Sequence, residues 1–249
     1  MNCVWHDASQ CARIFKSIRH TNSMINILFN ANGLHIMSMD GSKTSLIQLE
    51  LKPSYFKSFR CEQECVFGLH TETLTSILGK AKQTSLVWKA TDDTTLTIVL
   101  VQNDQMTEFS MRAIDIDEDH LDIPTMQDDV RLKMQDRVIK DWADKLMMTK
   151  GDATFDITEQ EFVCASSSVT MGTVKHREPI GGERVERISY NKDVHITLSF
   201  HALNSIKTFS DCAKECWMGF SNDMPTRLHV TLADESSLCL YVAPKIQDD

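Results

Sequence analysis

The sequence predicts an α+β protein of two tandem, similar domains, each made of antiparallel sheets with two helices. Three observations predict it. Segments that alternate apolar and polar residues outnumber segments with helical spacing. The helical segments come in two pairs whose key apolar positions repeat at offsets of 129 and 127 residues. An acidic, aperiodic stretch containing Pro124 separates the pairs. The expected division is residues 1–112, a connector at 113–130, and residues 131–249.

Taken in order, "DASQCARIFKSIRH" (7–20) places Cys11, Phe15 and Ile18 on one helical stripe, with Asp7 or Ser9 as the N-cap. "GLHIMSMDGSKTSLIQLEL" (33–51) reads as a hairpin about Gly41 and Ser42. Its parity sends Leu34, Ile36, Ile47, Leu49 and Leu51 to a core. The same parity leaves Met37, Met39 and Leu46 on the face where an ordinary surface strand is polar. "TETLTSILGKAK" (71–82) is the second helix, on Leu74, Ile77, Leu78 and Ala81. Strands follow in "TSLVWKA" (84–90), "TLTIVLV" (95–101) and "TEFSMRAI" (107–114). Past the connector, "QDRVIKDWADKLMM" (135–148) carries Val138, Ile139, Trp142 and Leu146 at helical spacing. A strand is expected in "ATFDIT" (153–158), a helix in "SFHALNSIKTFSDCAK" (199–214) and a closing strand in "SSLCLYVA" (236–243). Leu74 and Leu203 each open a Leu-x-Ser-Ile motif, and Phe15 matches Trp142, which gives the two offsets.

The chain has 249 residues, 42% hydrophobic and 24% charged, the balance of a globular protein. Its apolar runs fall short of a membrane span, and the opening "MNCVWHDASQ" has no signal-peptide pattern, so an intracellular setting is expected. Eight cysteines fit free thiols in a reducing compartment. "CEQEC" and "CAKEC" invite a zinc reading, but no histidine or further cysteine cluster follows at finger spacing, and no metal or cofactor is expected. In the connector, Asp115, Asp117 and Asp119 match positions 1, 3 and 5 of a calcium loop; His120 and Met126 stand where glycine and glutamate are needed, so that site fails.

Net charge is −9, yet it is unevenly distributed. Residues 10–20, 71–82, 133–150 and 200–214 hold twelve basic and five acidic residues, while the rest holds 14 basic and 30 acidic. The helices of an acidic protein are basic. Arg13, Lys16 and Arg19 lie on the first, Lys80 and Lys82 end the second, Lys140 and Lys145 lie in the third, and Lys207 and Lys214 in the fourth. Should the four polar faces share one side, they form a positive surface that binds a phosphate backbone by counterion release. No aromatic is interleaved with these lysines and no recognition-helix motif is present, so the binding is expected to ignore base sequence.

Four stretches carry a family likeness: "GLHIMSMDGSKTSLIQLEL", "FRCEQECVFGLHTETLTSILGKA", "LDIP" and the terminal "LYVAPKIQDD". Together they resemble the proliferating cell nuclear antigen family, the eukaryotic DNA sliding clamps. The likeness spans nearly the whole chain and is strongest over residues 29–82. It implies a homotrimeric ring of six similar domains, with basic helices lining a hole that duplex DNA threads. It also implies a hydrophobic pocket for a short hydrophobic-aromatic motif of DNA polymerase, the clamp loader and other replication and repair proteins. Carried over, that pocket is Met39, Thr44, Leu46, Leu121, Ile123 and Pro124, rimmed by Asp223 and Pro225 and closed by Tyr241, Ala243 and Pro244. Met39 and Leu46 then face outward to receive a partner, and methionine adapts to many ligands.

Thr44 stands where the family has an apolar β-branched residue, and His201 and Thr208 fall near usually basic positions. "DITEQEF" (156–162) lacks the lysine that the family modifies, and residues 175–193 have mixed charge where an acidic loop is typical. These departures point to a divergent member, viral or protist, working in the nucleus or a viral replication compartment. The trimer is expected to pair the edge strand near 107–114 with one in the second domain, within "SSSVTMGTV" (166–174). The chain has no phosphate-binding loop, so ring opening falls to a loader. Two alternatives stay open: a subunit of a heterotrimeric checkpoint clamp, and a metal-dependent nuclease using the carboxylates at 115–122.

Overall fold

The computed structural model describes residues 1–81, 84–117, 123 and 126–245. The chain divides into two compact units. One comprises Met1–Gly41, Ile47–Leu121 and Thr231–Leu238; the other comprises Ser42–Leu46, Asp122–Val230 and Cys239–Asp249. Among the described residues, no helix is long and apolar enough to cross a membrane.

In chain order the first elements are β1 (Asn2–Trp5), α1 (Ala8–Thr21), β2 (Met24–Asn30), β3 (Gly33–Met39), β4 (Ser45–Leu51), β5 (Phe56–Arg60), β6 (Cys65–His70), α2 (Thr71–Leu78), β7 (Ser85–Lys89), β8 (Thr95–Gln102) and β9 (Gln105–Arg112), all of the first unit except Ser45 and Leu46. One sheet has the order β5-β1-β7-β8-β9, and β4-β3-β2-β6 are hydrogen-bonded neighbours in another. Asp7 caps α1 by accepting from the Ser9 and Gln10 amides at 2.7 and 3.0 Å, which settles the choice between Asp7 and Ser9. Cys11, Ile14, Phe15 and Ile18 of α1 are fully buried. Phe15 packs on Trp88 at 5.3 Å and on Trp5 at 6.3 Å between ring centroids, the centre of this core. The parity of the 33–51 hairpin holds: Leu34, Ile36, Ile47, Leu49 and Leu51 are buried, and Met37, Met39 and Leu46 are half-buried on the other face. Its turn is longer than two residues, running from Asp40 to Thr44 with Lys43 at φ 56°.

The plan repeats with β10 (Val130–Gln135), α3 (Asp136–Met147), β11 (Ala153–Ile157), β12 (Glu161–Ser168), β13 (Gly172–Pro179), β14 (Val185–Tyr190), β15 (Val194–Leu198), α4 (Phe200–Ser210), β16 (Glu215–Phe220), β17 (Thr226–Thr231) and β18 (Ser237–Val242), all of the second unit except Thr231, Ser237 and Leu238. One sheet has the order β13-β12-β11-β15, and β14-β10-β16-β17-β18 are neighbours in another. Trp142 of α3 takes the part of Phe15, fully buried against Phe155 and Phe162 at 5.5 and 5.9 Å. Ser199 caps α4 by accepting from the Ala202 amide at 3.1 Å.

Three expectations need correction. The second helix stops at Leu78, because Gly79 follows as its cap, and Lys80 therefore lies beyond the helix. The fourth helix stops at Ser210 rather than 214, and Lys214 lies in the following loop, where its carbonyl accepts from the Asp136 amide at 2.9 Å. The second unit's outer strand is β13: of residues 166–174, Ser166–Ser168 pair inside the sheet and only Gly172–Val174 lie on the edge. The edge at β9 is where the sequence put it.

Candidate functional site

Residue by residue, α1 presents a positive face. Its apolar stripe is buried, which turns Arg13, Lys16 and Arg19 outward, and no acid lies within the helix. Arg13 approaches Asp7 at 3.8 Å and Arg19 meets Glu72 of α2 at 3.0 Å. Lys16 has no ion pair among the described residues. These three side chains, with Thr75, Leu78 and Gly79, line a groove of about 570 Å³ between α1 and α2. The exposed Lys80 follows that groove, and Lys82 lies outside the described residues.

The second helix pair is built differently. Lys140 is held by Asp136 at 2.8 Å and also by Asp211; Lys145 is held by Asp141 at 2.8 Å. Lys207 of α4 bonds to Asp144 of α3. An aspartate four residues before a lysine is the favoured order on a helix, so these pairs also support α3. Arg137 of α3, which sequence reasoning passed over, is exposed with no ion pair among the described residues, as is Lys214. Its place on the polar side of the Trp142 stripe was the available signal.

Of the docking residues, Met39 ends β3 in the first unit, where the Asn22 side chain donates to its carbonyl at 2.9 Å. The second unit brings Thr44 and Ala243 together, the Ala243 amide donating to the Thr44 carbonyl at 2.8 Å. Thr44 is exposed, and Leu46 beside it is half-buried. Tyr241 is 8% exposed, and burial pushes its phenol up to about 12. Pro244 is half-buried, and the tail is pinned just beyond it: the Lys245 amide donates to the Thr197 carbonyl at 2.8 Å and its ammonium to Asp152 at 2.6 Å. Asp223 is exposed, 3.9 Å from Lys192, and Pro225 and Ile123 are half-buried. Leu121 and Pro124 lie outside the described residues, as do Asp119 of the acidic run and Ile246 of the tail motif.

The group with metal-ligand character is Asp141, His176 and Glu178, whose donor atoms lie within 4.8 Å of one another. Both carboxylates already hold cations: Glu178 binds Arg184 at 2.8 Å and Asp141 binds Lys145. Burial alone raises the Glu178 carboxyl, but Arg184 and His176 outweigh it and hold it below its ordinary range. The arrangement is an ion-pair network. Cys61 and Cys65 stand at either end of the loop between β5 and β6, both as free thiols.

Two units that each set a helix pair beside antiparallel sheets define the sliding-clamp class of fold. The profile of the family "Proliferating cell nuclear antigen, N-terminal domain" matches residues 1–120. The proliferating cell nuclear antigen of Chaetomium thermophilum is 25% identical over 251 residues, covering 97% of this chain and 96% of that protein. The crystal structure of proliferating cellular nuclear antigen from Entamoeba histolytica superposes with a TM-score of 0.90 at 18% identity, covering 98% of each chain. Over residues 1–120 the chain is similar to the proliferating cell nuclear antigen family, and its fold as a whole is that of the solved clamp.

Proposed function

We propose that this protein is a DNA sliding clamp, a homotrimeric ring that encircles duplex DNA and serves as processivity factor and docking platform. The observation that supports it best is the near full-length likeness to a known clamp, 97% of this chain on 96% of the relative. In this reading residues 1–112 and 131–249 are the two clamp domains and 113–130 is the connector. Arg13, Lys16, Arg19, Lys80, Lys82, Lys140, Lys145, Lys207 and Lys214 meet the DNA. Phosphate contacts position without reading bases, so a ring held only by them slides. The pocket of Met39, Thr44, Leu46, Leu121, Ile123, Pro124, Asp223, Pro225, Tyr241, Ala243 and Pro244 receives the hydrophobic-aromatic motif of a polymerase or loader. The protein performs no chemistry of its own and needs no cofactor. It works where duplex DNA is copied, in a nucleus or a viral replication compartment.

Light scattering of the purified protein at several concentrations tests this reading. The expected mass is three times the chain mass of 28.3 kDa, steady on dilution. A monomer at every concentration overturns the self-sufficient ring and favours a hetero-oligomeric clamp.

A further inference from the structure

Past Val242 the chain leaves β18, so the sheet ladder no longer fixes the segment that carries Ala243 and Pro244. Bonds to three other segments of the second unit hold it there instead. The Ala243 amide donates to the Thr44 carbonyl at 2.8 Å, and the Lys245 amide donates to the Thr197 carbonyl of β15, the last strand of its sheet, at 2.8 Å. Pro244 between them has no amide hydrogen to give. The Lys245 ammonium donates to Asp152 Oδ2 at 2.6 Å. The other oxygen of that carboxylate accepts from the Phe200 amide, at the start of α4, at 3.3 Å. Asp152 is itself fixed from behind. The buried Ser166 hydroxyl donates to its carbonyl at 2.7 Å, and Gly151 before it runs so close to β12 that a Cβ would come within 2.5 Å of the Ser167 carbonyl oxygen.

We propose that Asp152 is a positioning residue for partner docking: through Lys245 it holds the segment carrying Ala243 and Pro244 against β15, in place to wall the pocket. The inference rests on the docking reading above. It gives a role to two residues outside the pocket of that reading, Asp152 and Lys245, neither of which touches a partner in it. A carboxylate suits the part because its two oxygens serve donors on two separate segments at once. A segment that is in place only part of the time binds its ligand with an affinity lowered by that fraction, so the pair acts on docking from outside the contact. The two side chains are 53% and 39% exposed, which makes the effect modest and sensitive to salt.

A double-mutant cycle tests it, using Asp152→Asn, Lys245→Met and the double variant. The readout is the affinity of a labelled synthetic peptide carrying a hydrophobic-aromatic helical turn. At low salt each single variant is expected to weaken the peptide about threefold, and the double variant no more than either alone. Losses that multiply to about ninefold overturn the coupling, as does native affinity in both single variants. Lys245→Arg, which keeps the cation, is expected to stay within about twofold of the native affinity, and a loss equal to that of Lys245→Met overturns the ion pair as the cause. Salt supplies a signature that mere misfolding lacks. At 1 M, where screening acts over about 3 Å, native chain and single variants should converge, and an undiminished difference overturns the proposal. Asp152→Asn keeps an oxygen for the Phe200 amide and Lys245 is exposed, so both variants are expected to fold. A native chain that does not bind the peptide at all overturns the docking reading and this inference with it. A native chain that binds, with variants that bind as tightly, overturns the inference alone.

Discussion

The helix pair of the first unit and that of the second have the same frame and opposite electrostatic habits. In the first, α1 carries three cations and no acid, and its nearest carboxylates, Asp7 and Glu72, sit outside the helix. In the second, α3 carries Asp136, Asp141 and Asp144 among its cations, and Lys140, Lys145 and Lys207 each have an aspartate partner. A cation already held by a carboxylate must leave it, or share it, to meet a phosphate. The comparison teaches that two similar halves need not distribute charge alike: α1 presents the more positive face, and the lysines of α3 and α4 are engaged by the aspartates of α3.

Reversing the α1 charges breaks the comparison most severely. Arg13→Glu, Lys16→Glu and Arg19→Glu together are expected to weaken duplex DNA binding at least about a hundredfold at low salt. The log-log salt slope should become shallower by about 0.9 for each phosphate that the protein no longer neutralises. Fluorescence anisotropy across a salt series measures both, and weakening by under about threefold refutes the assignment of α1.

Removing the acids of the other pair is expected to do the reverse. Asp136→Asn, Asp141→Asn and Asp144→Asn together should tighten duplex binding about fivefold, since three screened charges leave the surface. Exposed pairs of this kind contribute only about 0.2–1 kcal/mol each, so melting should drop by a few degrees at most. Unchanged affinity means that α3 does not face the DNA.

Acid sharpens the contrast on the stability side. Burial first, then the Arg227 and Arg131 charges, hold the His229 imidazole down at about 4. An unfolded histidine takes its proton near about 6.5, so between the two values the unfolded chain binds more protons than the native one. This contribution is complete above about pH 6.5 and is lost as the pH falls toward about 4. His35 of the first unit is lowered in the same direction, burial being the leading cause. Melting temperature measured against pH should therefore fall on the acid side, and His229→Gln should flatten that fall. An unaltered curve refutes the role of His229.

The smallest test compares single lysines. Lys16→Ala should cost about threefold in duplex affinity and Lys145→Ala less than about twofold, because only the second side chain has an acid to give up. Equal losses in the same anisotropy assay would erase the distinction between the two helices.

By itself the sequence determined what depends on local spacing. Burial every three or four residues located α1, α2, α3 and α4, alternation located the strands, and the repeat of Leu74 at Leu203 revealed two similar halves. Parity alone put Met39 and Leu46 on the face away from the core, since a strand has no other way to orient its side chains. The excess of basic residues in the helical segments was equally legible. Tertiary structure decided which charges have partners. Lys207 meets Asp144 across 63 residues and Arg227 meets Asp128 across 99, distances over which no periodicity carries information. It also decided why Gly219 is a glycine, because the Asp128 carboxylate fills the space of its missing Cβ. Backbone form is imposed by the near neighbours of a residue and can be read from them. Pairing and close approach depend on where remote segments meet, and only the folded chain settles that.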